Sequence, residues 1–89
     1  MSDQLTLGDW VTYVSGEIGQ LVVWDTHDDV RPWGVRTNIG ATWWPDERIQ
    51  TLHGRSWTGV AWWDPAAMRR ATPEEARAAQ LAELQAGGL

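Results

Sequence analysis

The chain has no cysteine, no lysine and no phenylalanine. It also has no apolar run approaching the roughly 20 residues that a bilayer-spanning helix requires. Without cysteine, disulfides and thiolate metal sites are excluded, while compartment is left open. Without lysine, all seven basic residues are arginine. With the abundant Ala, Gly and Trp, that usage points to a GC-rich bacterial or phage genome. The opening MSDQLTLGD carries neither the basic nor the apolar region of a secretory signal, so a cytoplasmic protein without membrane contact is expected.

What is present is tryptophan. Eight Trp and a single Tyr make up the aromatic set of 89 residues. A chain of this size is one small domain that buries roughly 60–65% of its unfolded surface, too little for a large catalytic cavity. Each buried Trp removes about 200 Å² from water, about 5 kcal/mol gross and an upper bound, so a few can replace a larger aliphatic core.

The net charge of −5 is unevenly spread. Residues 1–30 hold six acids and no Arg, residues 31–72 balance at +3, and residues 73–89 at −2. The acidic total disfavours generic nucleic-acid affinity, and the positive middle keeps it open as a second reading.

Residues 1–6 are polar and read as a flexible N-terminus. From Asp9 the pattern alternates, with Val11 and Tyr13 on one face and Trp10, Thr12 and Val14 on the other. Ser15-Gly16 marks a turn, and Gly19 signals a bulge or a close backbone approach. Residues 21–24 are continuously apolar, as in a strand covered on both sides. A polar loop over residues 25–32 precedes a third strand over 33–37. Asn38-Ile39-Gly40 reads as a turn and residues 41–44 as a fourth strand, stopped by Pro45. Residues 45–48 suit a single helical turn that returns Ile49 to the core. A connector at His53-Gly54 leads to a fifth strand over residues 56–63, in which Gly59-Val-Ala-Trp-Trp echoes Gly40-Ala-Thr-Trp-Trp. Thr72-Pro73-Glu74-Glu75 places an N-cap, a first-turn proline and a capping-box glutamate, predicting a helix over residues 72–86. Its apolar stripe is thin: Leu81 and Leu84 with Ala78 and Ala82.

GDWVTYVSGEIGQLVVWD followed by WGVRTNIGATWWPDERI resembles an SH3-like small barrel of the KOW or Tudor kind. Gly8, Asp9 and Val11 match the opening of such barrels, Gly19 the second-strand glycine, Val35-Arg36 the third strand and Ile49 the closing apolar residue. The resemblance spans about residues 7–50. It implies an all-β fold, an SH3-like five-stranded small barrel over residues 7–65, with the C-terminal helix appended. Plasmid-type dihydrofolate reductases share a similar opening. Their active-site Val-Gln-Ile-Tyr strand is replaced here by Ala41-Thr42-Trp43-Trp44, so that activity is not carried over.

Catalytic and metal signals are sparse. Asp25, His27, Asp28 and Asp29 offer ligands to a hard or borderline cation but lack EF-hand spacing, so a solvated loop is expected. Neither His27 nor His53 lies in a nucleophile motif, and no phosphate-binding loop occurs. No cofactor and no catalysis are expected. The tryptophan doublets carry the functional expectation. Neighbours on a strand point to opposite faces, so Trp43 and Trp44, or Trp62 and Trp63, cannot both enter one small barrel. The outward member of each pair is either covered by the chain itself or forms a binding surface. The expected binding residues are Trp33, Trp43, Trp44, Trp62 and Trp63, with Arg36 and Arg48 alongside. The expected partner is another protein or further copies of this chain, with nucleic acid as the alternative.

Overall fold

The structure, a computed structural model, describes residues 5–87; residues 1–4, most of the stretch expected to be flexible, lie outside the described residues. Six strands form one antiparallel sheet: β1 (Trp10–Tyr13), β2 (Ile18–Asp25), β3 (Trp33–Trp43), β4 (Ile49–Thr51), β5 (Trp57–Trp62) and β6 (Met68–Arg70). One helix, α1 (Pro73–Gly87), follows. The strand order is β5-β3-β2-β1-β6, with β4 alongside the C-terminal half of β2. The chain is mostly β, as expected, and the sheet is open. Its described strands end at β5 and β6 without joining, so backbone pairing does not close the expected barrel. No helix among the described residues is long and apolar enough to cross a membrane.

Two local expectations change. The third and fourth strands are one strand, β3, which pairs with β5 on both sides of an irregularity between Arg36 and Ala41. Arg36 and Ala41 both register with Val60, so residues 37–40 bulge out where a turn was expected. Gly40 makes this possible: its φ is +132°, and a Cβ there would run into the backbone of Val60. The hydroxyl of Thr37 ties the bulge down, lying 2.6 Å from the Ile39 carbonyl and 3.0 Å from that of Gly59. Of the two echoing Gly-x-x-Trp-Trp segments, the first registers with residues 57–60 and the second with residues 34–36, so they meet in register only at Ala41 and Val60. Residues 45–48, expected to make a helical turn, instead form an Asp46-centred turn. The Asp46 carboxylate accepts from the Arg48 N–H at 2.8 Å and the Ile49 N–H at 2.7 Å. Ile49 then enters the core as expected.

The sheet also extends past Pro65. After a 3₁₀ turn over Pro65–Ala67, capped by the Asp64 carboxylate, β6 pairs with β1. These three residues carry little apolar pattern, so only the pairing reveals them as a strand. The strand count is therefore six against the five expected.

The core is double. Val11, Leu21, Val35 and Trp63 form one buried cluster; Val22, Val23, Ile49, Trp57 and Val60 form the other. Along residues 60–63, Val60 and Trp62 join one cluster and Ala61 and Trp63 the other, so there the clusters lie on opposite faces of the sheet. In β2 a register shift between Leu21 and Val23 breaks the alternation and sends the neighbours Val22 and Val23 to the same cluster. β2 runs between them, with Leu21, Val22 and Val23 fully buried, as its continuous apolar run requires. Gly19 is a close-approach site, as expected: a Cβ there would overlap Val35 Cγ1 and sit 3.1 Å from the Arg36 carbonyl oxygen.

α1 starts on the expected capping box. The Thr72 hydroxyl accepts from the Glu75 N–H (3.1 Å), and the Glu75 carboxylate accepts from the Thr72 N–H (2.8 Å). The same carboxylate is held by the Arg69 guanidinium through two contacts of 3.0 Å, which fastens the helix to β6.

Candidate binding surface: where the tryptophans go

The alternation argument separates each doublet, but the double core changes the consequence. Trp63 is buried, 7% exposed, in the first cluster, with its ring 4.8 Å from that of Tyr13. Trp62 packs half-buried against the other cluster. Both members of this doublet are covered because both faces of the sheet have a core. Trp63, one of the expected binding residues, is therefore buried and cannot serve as an exposed anchor. In the other doublet, Trp43 packs beside Trp62 in an edge-to-face contact of 5.1 Å. Trp44 lies one residue beyond the end of β3 and remains 64% exposed. It is the doublet member that the fold leaves in water.

Trp33 is half-buried and stacks on Trp24 across the β2–β3 register, with ring centroids 5.6 Å apart and planes 18° from parallel. Trp24 is 36% exposed, so the pair forms a partly open aromatic ledge.

Both expected arginines are engaged. Arg48 grips Asp25 through two hydrogen bonds of 2.7 and 2.9 Å. Asp25 is a buried residue, and the Arg48 guanidinium beside it holds its carboxyl below the usual carboxylate range, aided by the His27 N–H. In turn Asp25 raises the pKa of Arg48. Arg36 pairs with Glu83 of α1 at 2.7 Å and lies 5.7 Å from the Trp57 ring. Arg36 and Arg48 thus join elements of the chain to one another.

Sequence reasoning missed Trp57 as an organising residue. It is 7% exposed, its indole N–H donates to the Leu52 carbonyl at 2.9 Å, and the Arg55 guanidinium sits 4.1 Å over its ring. The spacing Arg55-x-Trp57 was the available signal. Arg55 makes no ion pair among the described residues.

The acidic loop after β2 is occupied with its own backbone. The Asp28 carboxylate accepts from the N–H groups of Val30 and Arg31 at 2.8 and 2.9 Å, which lowers its pKa. Among the described residues no three His, Asp or Glu converge on a point that could hold a metal ion. Neither histidine is hydrogen-bonded to a serine there.

A groove of about 710 Å³ runs between α1 and the sheet. Trp10, Ile18, Trp63, Ala79 and Ala82 line it, and the Arg36–Glu83 pair borders it. Exposed apolar residues elsewhere include Val14 and Val30 on turns and Leu81 and Leu84 on α1, while the exposed Ile39 of the bulge borders the groove. No family model matches the chain, and neither a curated protein nor a solved structure is significantly similar to it.

Proposed function

We propose that the chain is a non-catalytic binding module on an SH3-like scaffold, which works in the cytoplasm by contacting a partner protein through Trp44. The Trp24–Trp33 ledge serves as a second aromatic contact. The strand order supports the scaffold reading, because the last strand follows a single 3₁₀ turn and returns to pair with the first. The observation that carries the binding reading is the 64% exposure of Trp44 in a fold that covers Trp57 and Trp63 almost completely. A large, rigid ring left in water is the residue type that anchors protein interfaces. Trp43 and Trp62 pack on each other and on the core, and Arg36 and Arg48 hold the framework. A small accessory or assembly protein, of phage or bacterium, fits this size and composition.

A KOW-like nucleic-acid reading draws on Arg55, the cation stacked on Trp57 without an acidic partner among the described residues. The pairing of Arg36 and Arg48 with carboxylates and the net charge of −5 place it second.

The test compares wild-type chain with Trp44→Ala in quantitative capture from cells of the source, and in titration with single-stranded oligonucleotide at two salt concentrations. The protein reading expects at least one captured partner to fall by about 30-fold, the effect of an interface hot spot. Identical capture by both chains would contradict it. Oligonucleotide quenching that weakens steeply with salt would favour the second reading.

A further inference from the structure

A second surface stands apart from Trp44. α1 meets the rest of the chain through Glu75, Ala76 and Ala79, its half-buried residues, and through the Arg36–Glu83 pair. At about 100° per residue these positions share one side of the helix. Arg77, Gln80, Leu81, Leu84 and Gln85 project from the other, and all five are exposed. Leu81 is 55% and Leu84 70% exposed. The helix therefore docks by its small residues and turns its only two leucines among residues 73–87 to the solvent, the reverse of a helix whose apolar face is satisfied within its own chain.

We propose that this outward face pairs with the same face of a second copy, the two α1 helices running antiparallel across a two-fold axis. The face is complementary to itself in that arrangement. With the axis between residues 82 and 83, Leu81 of each copy meets Leu84 of the other across the seam. A two-fold contact requires this reciprocity. Charge selects the same direction. The last turn of α1 holds no basic residue, and the antiparallel register brings each Arg77 to the C-terminal end of the other helix, where a cation is favoured. A parallel pairing would instead set Arg77 against Arg77 and Glu74 against Glu74. The face is narrow, below the roughly 1,200–2,000 Å² that a stable interface buries, so the dimer is weak and concentration-dependent.

Sedimentation of the full chain from about 10 μM to about 1 mM, the range for a weak interface, tests this. The mass should rise toward twice the monomer for wild type and for Trp44→Ala, which separates this contact from the one proposed for Trp44. It should stay monomeric for Leu81→Glu/Leu84→Glu, whose melting temperature should match that of wild type at low concentration. Direction is read by disulfide trapping, which the absence of native cysteine makes clean. A mixture of Leu81→Cys and Leu84→Cys chains, each keeping one seam leucine, should yield mainly the mixed disulfide. A wild-type chain monomeric throughout, a double variant that still dimerises, or a predominance of the two homodimeric disulfides would each overturn the proposal.

Discussion

Trp44 and Trp63 stand in equivalent places at the ends of their doublets, yet one is 64% exposed and the other 7%. Their substitutions should part accordingly. Trp63→Ala removes a ring packed on Val11, Leu21, Val35 and Tyr13, and should cost about 3–5 kcal/mol, much of the stability of so small a domain. Trp44→Ala should leave the stability read from urea unfolding within about 0.5 kcal/mol of wild type, since no core contact is lost. Asp25 offers a test of the opposite kind. Its carboxylate is buried and held by Arg48, so Arg48→Met should destabilise the chain despite deleting an exposed side chain, because the carboxylate then keeps only its bond from the His27 N–H. Because the pair keeps the Asp25 pKa below its ordinary 3.8, its contribution is present above that value and fades as pH falls through the lowered one. The same loss should be smaller in the acid limb of an Arg48→Met unfolding curve, where only the His27 N–H still favours the ionised carboxyl.

At the scale of elements, what was legible followed from local chemistry. The helix start was legible because Thr72 and Glu75 satisfy end groups of α1 and Pro73 leaves one fewer N–H to satisfy, all without help from the rest of the chain. β2 was legible because three consecutive apolar residues fit only a strand with cover on both faces. The bulge in β3 was not. Asn38-Ile39-Gly40 carries the same glycine signal for a turn and for a bulge, and only the register with Val60 separates them. β6 was illegible for a related reason, since a three-residue edge strand is defined by its partner β1. Site residues divided along the same line: alternation separates the members of a doublet, while which one stays outside depends on the second core, a tertiary property. Glu75 gives this scale its own prediction. Hydrogen bonds from Arg69 and the Thr72 N–H bring its pKa down to about 2 from an ordinary 4.5. A carboxyl lowered on folding stabilises above its unfolded value and ceases to do so as pH falls toward the folded one. The first turn of α1 should therefore fray between about pH 4.5 and about pH 2, read from amide exchange or helical circular dichroism. Glu75→Gln should flatten that change. A helix signal independent of pH across this interval in wild type would contradict the assignment.

For the whole molecule, the organising fact is a sheet with a core on each face. One small barrel interior could not take these rings; two partial cores take most of them, which is why an 89-residue chain can carry eight tryptophans and expose so few. The positive middle of the chain is spent largely inside the fold, on Asp25 and on α1, so the surface is left acidic overall and aromatic in places. The most direct test is fluorine NMR of the chain labelled with 5-fluorotryptophan, each resonance assigned by single Trp→Phe replacement, with a neutral gadolinium chelate added as a probe of solvent contact. The account predicts strong broadening of the Trp44 resonance, weaker broadening of Trp24, and resonances for Trp57 and Trp63 that barely respond. Trp63 broadening as strongly as Trp44 would show that the second face has no core, and would contradict it.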